Sequence, residues 1–145
     1  MKTDSIDFCI RISLAHASLK CKLDDELGTF HGLSLDDFIL LRLLALAEPG
    51  RMPVAELVRP LGLQLCAVTR ELVRLEKIGL VQRETSPGDA KRVVVIRPAG
   101  KRLLGEALGT AEAVCAGAIR ELSPDALPGI EAALSKVCCA EALVV

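Results

Sequence analysis

The apolar residues of this chain recur at helical spacing over most of its length and switch to strand-like spacing once. The first helical segment runs from Asp4 to about Leu27. Its polar residues, such as Asp7, Arg11 and Ser18, fall near one narrow stripe, and apolar residues cover the rest. A helix that is apolar on most sides must be enclosed by more than one neighbour. Because the chain has 145 residues, we expect a second subunit to supply part of that cover.

Two shorter helices are predicted next. Ser34 is a typical N-cap, and two aspartates follow it in the first turn, where the helix dipole favours negative charge. This helix should end at the Glu-Pro-Gly sequence of residues 48–50. A short helix with Pro53 in its first turn should follow, and Pro60 should end it just before Gly62.

The segment from Leu63 to Ile78 has the clearest helical pattern. Its apolar residues repeat at intervals of three, four and three, which predicts one inward face composed of Leu65, Val68, Leu72 and Leu75. Gly79 stands where a left-handed C-cap belongs. Two helices joined across a glycine predict a helix-turn-helix.

The pattern then switches to strands. Residues 81–85 are extended in character, residues 86–89 (Ser-Pro-Gly-Asp) predict a turn, and residues 92–96 are a β-branched run. These segments predict a hairpin directly after the helix-turn-helix. A long helix should run from Pro98 to about Leu122, and a last helix should start at Ser123-Pro124, with Ile130, Leu134, Val137 and Cys138 among its inward residues.

Charge and composition narrow the possible partners. Residues 51–104 hold eleven Lys and Arg against five Asp and Glu, a net charge of +6, and the rest of the chain carries −7. A basic middle between acidic ends is expected when one lobe meets phosphate. With three Phe, no Tyr and no Trp, the chain has no aromatic platform for stacking single-stranded bases. Duplex DNA is therefore favoured over single strands.

The order of these elements and the local sequence resemble the MarR family of winged-helix regulators. Residues 67–83 resemble that family's recognition helix and its exit into the wing, and residues 89–100 resemble the wing and the start of the dimerisation helix. The sequence differs at Pro60, inside the first helix of the motif, and at Leu63-Gln64, where a Ser or Thr cap is common. The wing is also one residue shorter than usual.

The resemblance implies a mainly α fold with a small β-hairpin wing: a winged helix-turn-helix with N- and C-terminal dimerisation helices. We expect a dimerisation helix in residues 1–33, a DNA-binding lobe in residues 34–97 and dimerisation helices in residues 98–145. The function implied is that of a homodimeric, sequence-specific regulator of transcription, a repressor released by a small molecule or by oxidation. Its operator would be an inverted repeat with half-sites about one helical turn apart.

Residues opposite the inward face of a recognition helix point at the bases. This places Gln64, Ala67, Arg70, Glu71 and Arg74 outward, with Thr69 to the side. We expect Gln64 and Arg70 to contact base edges, and Thr69 and Arg74 to contact phosphates. The alternative is an ordinary solvated helix face.

The hairpin adds cations to this site. Lys91 or Arg92 should enter the minor groove from the wing, and the alternative is a solvent-facing turn. Arg51, Lys101 and Arg102 are further phosphate candidates, and Asp89 should hold the wing by pairing with an arginine.

Six cysteines and two histidines offer further chemistry. The position of Cys9 resembles that of the peroxide-sensing cysteine in the OhrR branch of the family, although this sequence lacks the tyrosines that activate that thiol. Cys9 is therefore a candidate redox sensor, with Cys21, Cys115, Cys138 or Cys139 as resolving partners. The alternative is a small buried hydrophobe. Cys66 lies on the expected recognition helix, so its modification would also block DNA binding.

Other functions are less well supported by the sequence. His16 and His31 have no ligand spacing that proposes a zinc site, so we expect no metal and no cofactor. No enzyme signature is present. The N-terminal sequence and the absence of a long apolar run predict a cytoplasmic protein. A winged helix that docks an acidic protein instead of DNA is the rival function.

Overall fold

The computed structural model describes residues 4–85 and 92–138. Its helices are α1 (Ser5–His31), α2 (Leu35–Leu46), α3 (Ala55–Leu61), α4 (Leu65–Lys77), α5 (Pro98–Ile119) and α6 (Leu127–Val137), with a 3₁₀ turn at Pro124–Ala126 before α6. Its strands are β1 (Arg51–Pro53), β2 (Val81–Thr85) and β3 (Arg92–Ile96). The architecture is mainly helical with a small antiparallel sheet, which confirms the predicted fold class.

The sheet has three strands in the order β1-β3-β2, one more than the predicted hairpin. In the hairpin, Val81 pairs with Ile96 and Thr85 pairs with Arg92. On the other edge of β3, Arg51 pairs with Val95. Pro53 therefore belongs to a strand, and its placement in the first turn of the short helix was wrong.

The N-terminus of α2 is held by a capping box. The Ser34 hydroxyl accepts a hydrogen bond from the Asp37 backbone N–H at 3.0 Å, and the Asp37 carboxylate accepts one from the Ser34 backbone N–H at 3.0 Å. Two otherwise unpaired N–H groups are thus satisfied reciprocally. The predicted N-cap at Ser34 is confirmed.

The C-terminus of α4 turns sharply into the wing. Gly79 has a φ of 82°, a left-handed conformation that suits glycine. The Leu80 N–H donates to the Leu75 carbonyl and the Gly79 N–H donates to the Glu76 carbonyl, both at 3.0 Å. This pair of bonds is a Schellman motif. The predicted left-handed cap is confirmed, and it leads the chain from α4 directly into β2.

One aliphatic core joins the helix-turn-helix, the sheet and the adjoining ends of α1 and α5. The side chains that it excludes from solvent almost completely include Leu27, Leu41, Leu44, Leu57, Val68, Leu72, Leu75, Val81 and Val94. Helices α3 and α4 and the sheet therefore share one packed core.

The N-terminal half of α1 and the last helix lie outside this core. On α1, Ile6, Phe8, Ile10 and Leu14 are exposed, and on α6 so are Ile130, Leu134 and Val137. Cys138 is exposed as well. The prediction that these residues face inward is wrong for the single chain, because their side chains are exposed to solvent in the part of the chain that the structure describes. Helix α1 is also longer than predicted and ends at His31.

No helix within residues 4–85 and 92–138 has both the length and the apolar character needed to cross a membrane.

Candidate nucleic-acid interface

Helix α4 buries one side completely and leaves the other open. Val68, Leu72 and Leu75 are each 0% exposed. Because successive residues of an α-helix are rotated by about 100°, Arg70 lies almost opposite this buried face, and it is exposed. The α4 outward face, as we call this surface, also carries Cys66, together with Val73 and Lys77, which the sequence analysis did not single out.

The remaining predicted contact residues lie at the start of α4 or beside it. Gln64 is the N-cap residue and is exposed, although its side chain makes no capping hydrogen bond. Ala67 and Thr69 are half-buried on opposite flanks. The structure thus brings Gln64, Ala67, Thr69 and Arg70 together around the first two turns.

Leu65 corrects the predicted inward face. It is 54% exposed, whereas Leu63, just before the helix, packs against the core. Leu65 is the first residue of α4 and lies one turn before Val68, outside the edge of the core. It borders a cleft that we call the α4–wing cleft, lined by Pro53, Val54, Ala55, Glu56, Leu65, Thr69 and Arg92.

The α4–wing cleft places a cation of the hairpin beside α4. Arg92 is exposed at the start of β3 and lines the cleft together with Thr69. Arg92 forms no ion pair with any residue in the described ranges. Lys91 and Asp89 lie outside the described residues.

The two arginines of α4 differ in their surroundings. Arg70 makes no ion pair with any residue that the structure describes. The Arg74 guanidinium instead donates from Nε to Glu71 at 3.1 Å and from Nη2 to the buried Asp37 carboxylate. Burial alone would lower the pKa of Arg74, but the hydrogen bond to Asp37 and the charge of that carboxylate outweigh it, so the pKa is raised. The predicted phosphate contact by Arg74 stays a prediction.

Two further ion pairs fix the wing. Glu76 of α4 accepts hydrogen bonds from the Arg83 backbone N–H at 2.8 Å and from its guanidinium at 3.3 Å. The backbone hydrogen bond is the main reason that the pKa of Glu76 lies below its ordinary value. Arg51, a predicted phosphate ligand, pairs with Glu84 across the sheet. Lys101 and Arg102 are exposed in the first turns of α5.

The cysteines of the described chain are free thiols on its surface. Cys9, Cys21, Cys66, Cys115 and Cys138 are all exposed, and Cys139 lies outside the described residues. Cys9 borders a shallow depression with Ile6 and Ile10. The expectation that Cys9 is a redox sensor stays a prediction, but the alternative of a buried hydrophobe does not hold for the single chain.

The histidines do not gather ligands. His31 joins α1 to α5 through a 2.8 Å hydrogen bond between its Nε2 and the Thr110 hydroxyl. Among residues 4–85 and 92–138, no group of three or more His, Cys, Asp or Glu side chains is arranged to hold a metal ion.

Comparison with known proteins finds similarity to part of this chain. The model of the MarR family matches residues 33–93. An uncharacterized HTH-type transcriptional regulator of Bacillus subtilis (strain 168), YcgE, is 45% identical over 51 residues, which is 35% of this chain and 33% of that relative. The match thus spans about a third of the length of the relative.

Solved structures extend the likeness to nearly the whole chain. Sco3205, a MarR family transcriptional regulator from Streptomyces coelicolor crystallised in complex with DNA, superposes with a TM-score of 0.81 at 21% identity, over 94% of this chain and 91% of that one. A probable transcriptional regulator from Pseudomonas aeruginosa has a TM-score of 0.75 at 26% identity, over 92% and 97%. Residues 33–93 of this chain therefore match the MarR family model, and the described chain has the fold of these solved regulators.

Proposed function

We propose that this chain is a homodimeric, sequence-specific regulator of transcription that binds double-stranded DNA through α4 and the wing. The α4 outward face carries the proposal, because it presents Arg70 without an ionic partner among the described residues, opposite a side that is fully packed. An α-helix of this kind fits the major groove of B-DNA. The likeness to a MarR family regulator crystallised with DNA supports the same function.

The contact residues take distinct roles in this proposal. Gln64 and Arg70 read base edges, since an amide suits adenine and a guanidinium suits guanine. Ala67 is small enough to let the backbone approach and to touch a thymine methyl group. Thr69 contacts phosphate, and Arg92 reaches toward the minor groove from the wing, with Lys91 beside it in sequence.

Homodimerisation is supported by the apolar side chains that the single chain leaves in water. Exposed apolar patches as continuous as the one on the N-terminal half of α1 mark interaction sites. Leu14 on α1 is 65% exposed and Val137 on α6 is 59% exposed. A two-fold interface that buries both helices would place two copies of α4 side by side, and the operator would be an inverted repeat.

We further propose that the regulator is a repressor released by a small molecule or by oxidation, as the family resemblance implies. The exposure of Cys9 and Cys66 supports the oxidative route, because an oxidant can reach both thiols. Oxidation of Cys66 would add bulk directly on the α4 outward face.

The proposal is tested by measuring affinity for random duplex DNA and for a palindrome selected from a random library, at several salt concentrations. The logarithm of the binding constant should fall with that of the salt concentration by about 0.9 for each phosphate neutralised. Arg70→Ala should lower affinity for the selected palindrome by about 1–3 kcal/mol and relax the preference at one position. Arg92→Ala should lower the affinity for both the palindrome and random duplex DNA, and it should reduce the dependence of binding on salt.

Arg42→Ala is the matched control, because Arg42 is exposed on α2, away from the α4 outward face. This variant should bind DNA like the wild type. Unchanged binding by Arg70→Ala would contradict the placement of the interface on α4. No salt-dependent retention of the wild type on any duplex would favour the protein-docking alternative, and a solution mass of one 15.5 kDa chain would contradict the dimer.

A further inference from the structure

A buried carboxylate connects the recognition helix to the start of α2. Asp37 is 1% exposed, and it is the one charged or polar side chain in the buried core of the described residues. Its Oδ2 accepts hydrogen bonds from the Ser34 backbone N–H at 3.0 Å and from Arg74 Nη2. Its Oδ1 is buried without a hydrogen-bond partner among the described residues. The carboxylate therefore depends on Arg74 for charge compensation.

This dependence limits what Arg74 can do on DNA. The Arg74 side chain is 44% exposed but Asp37 is only 1% exposed. A buried carboxylate that loses its counter-ion is left as an uncompensated charge, which is strongly destabilising. If the Arg74 guanidinium swung toward a phosphate, Asp37 would be left in that state. The Arg74 Nε also donates a hydrogen bond to the Glu71 carboxylate, at 3.1 Å. Arg70, four residues earlier, carries no such restraint.

The same polar network reaches α1. Asp24 of α1 accepts a hydrogen bond from the Leu35 backbone N–H at the start of α2, at 2.7 Å. Lys20, one turn earlier, bridges Asp24 at 3.1 Å and Asp36 at 3.5 Å. The start of α2 is thus tied to α1 on one side and, through Asp37, to α4 on the other. Helix α1 also bears the apolar surface assigned above to dimerisation.

We propose that Arg74 is a positioning residue rather than a phosphate ligand, and that Asp37 acts through it to fix the orientation of α4 on the α1–α2 junction. The inference rests on the proposed DNA-binding function and deepens it. A dimer must present two recognition helices at the spacing of its half-sites. Residues that never touch DNA then determine how well the α4 outward face discriminates between sequences, since base contacts require accurate placement.

Asp37→Asn separates the two roles of Arg74. Asparagine keeps the size of the side chain and an oxygen for the Ser34 N–H, but it removes the charge that holds the guanidinium. If Arg74 positions α4, the ratio of affinities for the selected palindrome and random duplex should fall about tenfold, comparable to one mismatched base pair. If Arg74 is a phosphate ligand, its release from Asp37 should leave both affinities unchanged or raise them.

The double variant D37N/R74Q makes the salt dependence informative. It carries no buried charge, so it avoids the uncompensated carboxylate that Arg74→Gln alone would create. A positioning role predicts the lowered affinity ratio with the wild-type salt slope. A phosphate role predicts a slope smaller by about 0.9 for each Arg74, or about 1.8 for the proposed dimer. A thermal melt of each variant establishes that the protein measured is folded, and if Asp37→Asn alone does not fold, the double variant decides by the same two quantities.

Ser34→Ala is the matched control. It removes the hydroxyl half of the same capping box and leaves Arg74 and the Asp37 carboxylate in place. It should keep the wild-type affinity ratio even if it melts earlier. The proposal is overturned if Ser34→Ala lowers the ratio as much as Asp37→Asn, if Asp37→Asn leaves the ratio unchanged, or if the double variant loses slope. Failure of the wild type to bind any duplex would be a separate result and would overturn the DNA-binding function as well.

Discussion

Replacement of Gly100 by alanine should destabilise the protein more than its helical position suggests. Gly100 is buried in the first turn of α5, against the chain that leaves α4. A Cβ atom built there would overlap the Leu80 carbonyl oxygen and lie 3.0 Å from Ile96 Cγ1. The Leu80 carbonyl already accepts a hydrogen bond from the Arg97 N–H at 2.9 Å. Because the obstacle is backbone, it cannot rotate away, and α5 must move.

The size of the effect follows from two opposing contributions. Alanine in place of glycine favours the helix by about 1 kcal/mol. Overpacking of a close contact costs about 1–3 kcal/mol, and a clash with a fixed backbone atom belongs at the upper end. The net loss in the free energy of unfolding should be about 2 kcal/mol, which lowers the melting temperature by roughly 8 °C in a chain of this size.

Gly105→Ala, in the same helix, is the matched control. A Cβ atom there meets nothing within 4 Å, so only the favourable contribution remains. The free energy of unfolding should increase by about 1 kcal/mol, and the melting temperature should rise by roughly a few degrees. Both variants and the wild type are melted by circular dichroism at one protein concentration, because the melting temperature of the proposed dimer would depend on concentration. If Gly100→Ala melts at or above the wild type, the close approach of α5 to Leu80 is refuted.

Two further predictions concern α4 and the junction of α1 with α2. Leu65→Ser should change the free energy of unfolding by about 0.5 kcal/mol or less, whereas Leu72→Ala should lower it by about 2–5 kcal/mol. Urea titrations measure both values, and equal losses would contradict the placement of Leu65 outside the core. Burial alone would raise the pKa of Asp24, but the hydrogen bond from the Leu35 N–H and then the pairing with Lys20 outweigh it, so the pKa lies below its ordinary value of 3.8. The ionised carboxylate therefore contributes stability that is complete above that value and is lost as the pH falls through the lower folded-state pKa. Asp24→Asn should lower stability at neutral pH and flatten the acid side of the stability–pH curve, and an unchanged acid limb would contradict this.

Local signals explain what the sequence could predict. The N-cap at Ser34 and the left-handed cap at Gly79 depend on residues within one helical turn, and both are confirmed. The hairpin was predictable for the same reason, since a β-branched run and a turn sequence are adjacent in the chain. The inward set of α4 was correct at Val68, Leu72 and Leu75, where the helix spans the core.

Non-local packing explains what it could not. Strand β1 has three residues, too few to show a period, and it exists because its backbone pairs with β3 some forty residues later. Leu65 continues the apolar period of α4, but periodicity does not reveal where the core ends. Asp37 has all the features of an N-terminal helix residue, and nothing near it in the sequence indicates that Arg74 is its partner. A buried carboxylate with a distant arginine is visible only after folding.

Ion pairing also reduces the number of cations in residues 51–104 that are free to attract phosphate. Three arginines of that segment, Arg51, Arg74 and Arg83, face carboxylates within the protein and do not contribute a free charge to the surface. The cations of the segment that pair with no described residue are Arg59, Arg70, Lys77, Arg92, Arg97, Lys101 and Arg102. These seven lie on α3, the α4 outward face, the wing and the N-terminal end of α5, where Arg97 is the N-cap residue. Because counterion release counts phosphates that are neutralised, the salt slope should respond to substitution of those members of this set that contact phosphate, and not to loss of the three paired arginines. The net charge of the segment therefore measures its attraction to DNA less well than the number of its cations that remain unpaired.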